Sequence, residues 1–497
     1  MVKDRVAVVG AGLGGLSAAL RLASKGLEVD VFESLDGPGG KANNLVIDGY
    51  RFDTGPSLLT LPGVFEQLFE EVGEDMSRYL RFEPLEVITR YRFDDGTVLD
   101  AYADRERFAQ EVHEKLGEDP KTVLKYLDRS REIYDLTSDL FMFRSITEPR
   151  DLLSMDAVKA LIRSRKVDAF RNMHEANSSW FGDKRTVQLF DRYATYNGSS
   201  PFVCPATFNL IQHVEYGIGA YGVKGGIYSI SRALHEVGKK LGVDFHFGST
   251  VGSILVENRE VKGITVDGER RPYDIVVSNS DVVHTYRTLL QDTASKVSRR
   301  YFDMEPSSSG CVFYWGVDAK NDDLLLNNIF FSGNYEREFA DIWQRRVPPE
   351  DPTVYVNITS KLDPGDAPEG AENWFVLVNV PYDSGQDWSG MLDRIRKSVL
   401  ERVEKSLGRN IRGSIRCEGV LLPPDIEKKY RTNRGSIYGF SSNLRTSAFM
   451  RQPNRSRGYR GLFFCGGSAH PGGGMPLVLL SGKIAADLVC LHRGECQ

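Results

Sequence analysis

Apolar positions along this chain follow two periodicities that alternate in blocks. Arg5-Val6-Ala7-Val8-Val9 is a short apolar run, the pattern of a parallel strand buried on both faces. Leu16, Ala19, Leu20 and Ala23 then recur at helical spacing, Gly26 is placed to stop that helix, and Leu27 to Phe32 reads as a second strand closed by Glu33. The same style returns near residues 220–300, where a helix through Ile230, Leu234 and Val237 precedes strands at 243–247, 250–256, 261–266 and 274–279. It returns again at the C-terminus, as a strand at 461–465 and a helix through Val478, Leu479, Ile484, Ala485 and Leu488.

The blocks between read differently. A helix through Val64, Leu68, Phe69 and Val72 is followed by two strands about the Asp95-Gly96 turn. Residues 104–214 are mostly helical in pattern, broken by the turn-forming run Tyr193 to Pro201. Residues 300–455 carry aromatic and β-branched strands at 313–317, 328–331, 353–357 and 373–380, suited to a second sheet forming one wall of an apolar cavity. The expectation is an α/β chain with one unit built from 1–85, 215–300 and 455–497, and a mixed α+β unit from 86–214 and 301–454 inserted into it twice.

The junction between the first strand and its helix carries the first chemistry. In Gly10-Ala11-Gly12-Leu13-Gly14-Gly15, Gly10 allows the tight turn, Gly12 lets backbone approach a pyrophosphate, and Gly15 lets helix and strand pack closely. The helix N-terminus would then face phosphates. Glu33, at the end of the second strand, is placed to accept hydrogen bonds from an adenosine ribose, and an acid there favours FAD or NAD over NADP. At the other end of the chain, Gly466 and Gly467 close a strand, and Gly474, Met475 and Pro476 open a helix. Pro476 suits the first turn, and the N–H groups of that turn would favour an anion.

Composition narrows the class. A formal charge of −5 argues against nucleic acid as the main partner. The six cysteines form no CxxC pair, which fits reduced thiols, and the eight histidines show no metal-ligand spacing, so no metal is expected. The cofactor strand begins almost at once, leaving no expected room for a signal peptide, and no apolar run is expected to approach the ~20 residues of a membrane span. The stretch Leu152 to Lys166 is a basic amphipathic helix candidate: either a cover for the core or a membrane-surface helix.

Several motifs resemble one family. Gly39-Gly40-Lys41 is similar to the second glycine pair of FAD-dependent oxidoreductases and amine oxidases, which turns the nucleotide expectation toward FAD. DGYRFDTGPSLLTLP, the 220–285 region, the stretch from Asp351 to Pro381 and GGSAHPGGGMP resemble bacterial carotenoid desaturases of the phytoene desaturase type, with the C-terminal string nearer the carotenoid 3,4-desaturases. The resemblance implies a Rossmann-like FAD-binding domain with an inserted substrate domain. It implies cofactor contacts at Gly40, Lys41, Gly55, Pro56, Ser57 and the Val251 backbone, beside Gly10, Ala11, Gly12, Gly14, Gly15 and Glu33. It further implies introduction of C=C bonds into a polyene by hydride transfer to flavin, with 3,4-desaturation of an end group first and multi-step phytoene desaturation as the alternative. A non-catalytic lipid-binding protein resembling the Rab GDP-dissociation inhibitors is a third reading. Asp53 is the expected carboxylate near the flavin ring, as anchor or proton acceptor. The expected setting is the cytoplasmic face of the cell membrane, held peripherally, with a quinone or oxygen as electron acceptor.

Overall fold

A computed structural model describes residues 5–142, 167–443 and 450–494; the basic segment 152–166 lies outside the described residues. At its centre is a five-stranded sheet in which every pairing is parallel, ordered Asp244–His246, Glu28–Phe32, Arg5–Val9, Ile275–Ser278, Leu462–Phe464. The order places the first strand in the middle, so its carboxyl end, where Gly10 turns the chain, opens at the centre of the sheet's edge. Gly10 has φ +99°, a conformation that a side chain would strain, and a Cβ on Gly15 would stand 2.1 Å from the Gly10 carbonyl oxygen.

The helix Leu13–Ser24 leaves this turn and packs against the C-terminal helix Met475–Arg493. The two approach closely because Gly482 meets the Gly14 carbonyl where a Cβ would be only 2.4 Å away, and Ser17 Oγ donates to the Leu479 carbonyl at 2.6 Å. Within the C-terminal helix, Met475–His492 is long and apolar enough to cross a membrane, contrary to the expectation that no stretch would be. It is 67% buried inside the protein, however, and reads as a core helix.

A three-stranded antiparallel sheet (Val251–Glu257, Glu260–Val266, Glu269–Pro272) covers one side of the parallel sheet. A small sheet that the sequence pattern did not reveal joins Leu59–Thr60 and Phe82–Pro84 to the two sides of Ala220–Val223.

The second large sheet has seven strands, ordered Ile415–Leu421, Ser309–Val317, Glu372–Val380, Val354–Asn357, Asn327–Phe330, Val87–Arg92, Val98–Tyr102. The hairpin expected about Asp95-Gly96 thus joins strands from more than 200 positions later, through a parallel pairing of Arg90 with Asn328. Alternation along its strands sets two faces. Phe313 and Trp315 pack with Ile395 and Val399 of the covering helix Trp388–Leu407. Val312 and Tyr314 turn to the other side, with Tyr50 and Phe52.

Candidate active site

One continuous cavity of about 510 Å³ runs from the glycine turn of the parallel sheet to the open face of the seven-stranded sheet. Of the residues singled out from sequence, Gly10, Gly12, Gly14, Glu33, Gly40, Lys41, Gly55, Pro56, Ser57, Val251, Gly466, Gly467, Gly474, Met475 and Pro476 all stand on its wall. Ala11 and Gly15 lie just behind. The Ala11 N–H donates to Glu33 Oε2 at 2.8 Å, tying the turn to the acid, and Gly15 provides the close helix packing described above.

Asp53 does not stand on this wall. Its buried carboxylate accepts from Arg51 Nη2 at 2.5 Å and from the Ile227 N–H at 3.0 Å, at the start of the helix Tyr228–Lys240. Burial raises its pKa, opposed chiefly by Arg51. The expectation of a carboxylate facing a flavin ring is therefore corrected. Asp53 clamps a strand to a helix, because an acid at the end of that strand serves the half-buried Arg51 and a free backbone N–H.

The nucleotide end has the features a dinucleotide needs. Two helices, Leu13–Ser24 and Met475–Arg493, begin at the cavity after glycine N-caps, and neither N-terminus is capped by a side chain. Their first-turn N–H groups are left to an anionic or polar ligand. Gly474 has φ +109° and no atom within 4 Å of where a Cβ would sit, so the backbone there is open to a ligand. Lys41 Nζ donates to the Ile437 carbonyl at 2.8 Å, and burial lowers its pKa to about 8, partly offset by Asp281. Its remaining exposure is toward the cavity it lines. A glycine cradle, a ribose-competent acid, two uncapped helix ends and a half-buried lysine make a donor set that fits FAD.

Asn279, expected as the last residue of a buried strand and found just past its end, lies beneath this cradle. Its Nδ2 donates to the Gly10 carbonyl at 3.2 Å, and the same side chain limits Gly12, Gly14 and Gly466 to glycine-sized residues. The available signal was its position, at the carboxyl end of a buried strand next to the turn.

The far end is apolar with isolated polar groups. Val312, Phe375, Leu377 and Ile329 of the seven-stranded sheet line it, together with Tyr335 and Tyr355. Ser57 and Tyr355 hydroxyls pair at 2.7 Å, and Tyr355 donates to Asn327 Oδ1 at 2.7 Å. Arg192, Thr195 and Tyr196 also reach this wall, from the short 3-10 helix Arg192–Asn197, whose residues from Tyr193 on belong to the run expected only to break the helices.

Comparison with known proteins places these features in company. The family model described as flavin containing amine oxidoreductase matches residues 13–490. A 1-hydroxycarotenoid 3,4-desaturase from a Flavobacterium species is 41% identical over 485 residues, covering 97% of this chain and 98% of that protein. A 4,4'-diaponeurosporene oxygenase from Staphylococcus haemolyticus is 34% identical over 500 residues, covering 100% of this chain and 99% of its own. Among solved structures, an oxidoreductase from Methanosarcina mazei is similar with TM-score 0.64 and 19% identity, covering 97% of this chain and 100% of its own. Wild-type putrescine oxidase bound to putrescine is similar with TM-score 0.63 and 16% identity, covering 98% and 99%. At these identities the two structures speak to the fold alone.

Proposed function

The chain belongs to the flavin-containing amine oxidoreductases, and from that premise we propose that it is an FAD-dependent carotenoid desaturase that forms a double bond at the 3,4 position of a hydroxylated carotenoid end group. The observation that carries this reading is the continuity of one cavity from the glycine cradle to an aromatic and aliphatic wall. An amine substrate would call for a cation-binding end; an apolar wall suits a polyene. On this reading residues 1–85, 215–300 and 455–497 hold the cofactor, and 86–214 with 301–454 hold the substrate.

Forming the double bond removes one hydrogen with its electron pair and a neighbouring hydrogen as a proton. Bound FAD supplies the two-electron acceptor. The chain supplies position and dryness. The glycine turn, Glu33 and Lys41 would hold the cofactor, the helix end at Met475 favours negative charge beside it, and the Val312–Phe375–Leu377 surface keeps water from the polyene. A C–H bond beside a conjugated system leaves charge that the polyene spreads along itself, so no strong protein nucleophile is needed.

We further propose that the protein works at the cytoplasmic face of a membrane, from which it draws its substrate, and that a quinone or oxygen takes up the electrons. Support comes from the basic amphipathic pattern of 152–166 and from Phe170 and Val203, exposed at 62% and 52%, on two segments joined by the Asn172–Pro205 bridge. Flotation with anionic liposomes that weakens when Arg163, Arg165 and Lys166 become Glu tests this part. Wild-type protein that stays unbound would end it.

The desaturase reading is tested by expressing the chain in cells that make phytoene, lycopene, γ-carotene or their 1-hydroxy derivatives and identifying the pigments. Loss of two hydrogens from the hydroxylated pigment is expected. Gain of oxygen would assign an oxygenase instead, and unchanged pigments would overturn the proposal.

A further inference from the structure

Arg192 is 7% exposed and lies on the wall of the cavity at its apolar end. Burying a guanidinium in such surroundings is costly unless its N–H groups are satisfied. Its carboxylate neighbour, the fully buried Glu215, stands 3.5 Å from Nη2, long for a hydrogen bond. Glu215 is already held by other groups: Tyr193 Oη donates to one oxygen at 2.6 Å and Tyr196 Oη donates to the other. Arg192 Nε and Nη2 are enclosed by protein and, like the buried hydroxyls of Tyr91 and Tyr216, make no hydrogen bond of ordinary geometry. They sit only in loose polar contact with Glu215 and one another, and Nη1 is left to carry the small exposure of the guanidinium. The faces of Tyr91, Tyr193 and Tyr196 lie 4.5–5.3 Å from the guanidinium carbon and hold it in place through cation–π contact, which uses none of its N–H donors.

An all-hydrocarbon ligand gives such a group nothing to do. We propose that Arg192, with Thr195 beside it, is the seat for an oxygen function on the end group of the substrate, and so the residue that selects a hydroxylated carotenoid over its deoxy counterpart. This rests on the desaturase reading for the identity of the polyene. The chemistry is complementary. An Nη1 N–H donates to the hydroxyl oxygen, and Thr195 Oγ1, which donates to the Arg192 carbonyl at 2.8 Å, keeps its lone pairs to accept a hydrogen bond from the hydroxyl. Glu215 keeps the seat electrically neutral overall, so it does not oppose positive charge on the nearby polyene. Arg192 and Thr195 are positioning residues, anchoring one end of a long flexible substrate so that the carbons to be desaturated meet the cofactor in one register. A site built to hydrogen-bond a substrate hydroxyl discriminates strongly against the analogue that lacks it.

The test compares a 1-hydroxycarotenoid with the deoxy carotenoid of equal conjugation, both presented in the same liposomes to FAD-loaded protein. Two readouts are taken: the ratio of kcat/KM for the two pigments, and the ratio in which the protein retains them when both are offered in competition. Wild type should favour the hydroxylated pigment in both. Arg192→Met combined with Glu215→Gln, which leaves no unpaired buried charge, should lower both ratios at least tenfold, mainly through KM for the hydroxylated pigment. Arg192→Lys, which keeps the charge but alters donor geometry, should fall between. A general packing defect would depress both pigments together and leave the ratios alone. Ratios near one in wild type, or unchanged in the variants, overturn the seat even if desaturation proceeds. Arg192-dependent retention of the hydroxylated pigment without any desaturation would support the seat and remove the desaturase reading instead.

Discussion

The Ala11 N–H donates to Glu33 Oε2 at 2.8 Å, joining the glycine turn to the end of the second strand across 22 positions of sequence. The other carboxylate oxygen accepts from the Leu35 N–H at 2.9 Å and the Ser34 hydroxyl at 3.3 Å. One acid thus shapes the turn that receives the dinucleotide while still presenting lone pairs to the cavity. Glu33→Ala should weaken FAD binding by one to two orders of magnitude, as expected for losing charge-assisted hydrogen bonds of ~1.5–3 kcal/mol. Reconstitution of apoprotein followed by flavin fluorescence measures it. Wild-type affinity in the variant would show that the turn holds its shape, and the ribose its place, without the acid.

Gly473 and Gly474 make a second demand on the cofactor end. A Cβ on Gly473 would lie 2.9 Å from the Tyr438 ring, and Gly474 sits at φ +109° with open space before it. Gly474→Val would strain the backbone and fill that space, and Gly473→Val would push on a half-buried tyrosine of the cavity wall. Both should lose bound flavin on purification while retaining their helical circular dichroism. Flavin content at wild-type stoichiometry in both would sink the assignment of this loop to the cofactor.

Why some of this could be read in advance and some could not follows from where the information lies. The glycine turn is local: Gly10, Gly12 and Gly15 are required by contacts within ten or so residues or with one neighbouring strand, and the sequence carries their spacing openly. The hairpin at Val87–Arg92 and Val98–Tyr102 was likewise visible as alternation about a turn. Its parallel pairing with Asn327–Phe330 was not, because nothing in an alternating strand says which distant edge it will meet. Asp53 misled for a related reason. A carboxylate at the end of a motif-like strand is equally suited to a ligand or to protein donors. Arg51 is its neighbour two positions back on the same strand, but only the fold brings the Ile227 N–H to it. Arg192 was passed over because its neighbours in sequence are turn formers, while Glu215 and Tyr91, which define its setting, arrive from elsewhere.

Lys41 gives the cofactor end a pH signature. Burial lowers its pKa from 10.5 to about 8 in the cofactor-free protein, so between those values the unfolded chain holds a proton that the native state has released. Stability therefore rises with pH across that window, and the burden of the charged lysine is fully present below pH 8. Lys41→Met should remove this rising contribution, seen as a flatter dependence of urea stability on pH from 8 to 10 relative to wild type. Identical pH profiles for the two proteins would show that the lysine is solvated in the native state.

Glu338 makes the opposite case and reaches the cavity through Thr353. Its carboxylate is 2% exposed and accepts from the Ser332 hydroxyl at 2.6 Å, the Thr353 hydroxyl at 2.7 Å and the Thr353 N–H at 3.0 Å. Thr353 in turn lines the cavity wall. Burial raises the pKa of Glu338 from 4.5 to about 7, with these hydrogen bonds opposing the shift. The native state thus keeps a proton that the unfolded chain has lost, so stability falls as pH rises from 4.5 through 7 and the full cost of the charged form is present above that. That cost is on the order of 3 kcal/mol from the size of the shift. Glu338→Gln keeps the shape and an acceptor for the Thr353 N–H without the charge. The variant should match wild type near pH 5 and become relatively more stable toward pH 8, by an amount reduced where the carboxylate's stronger hydrogen bonds are lost. Urea unfolding at pH 5, 6, 7 and 8 measures the divergence. A variant less stable than wild type by a constant amount at every pH would mean that Glu338 titrates normally and that its hydrogen bonds outweigh its burial.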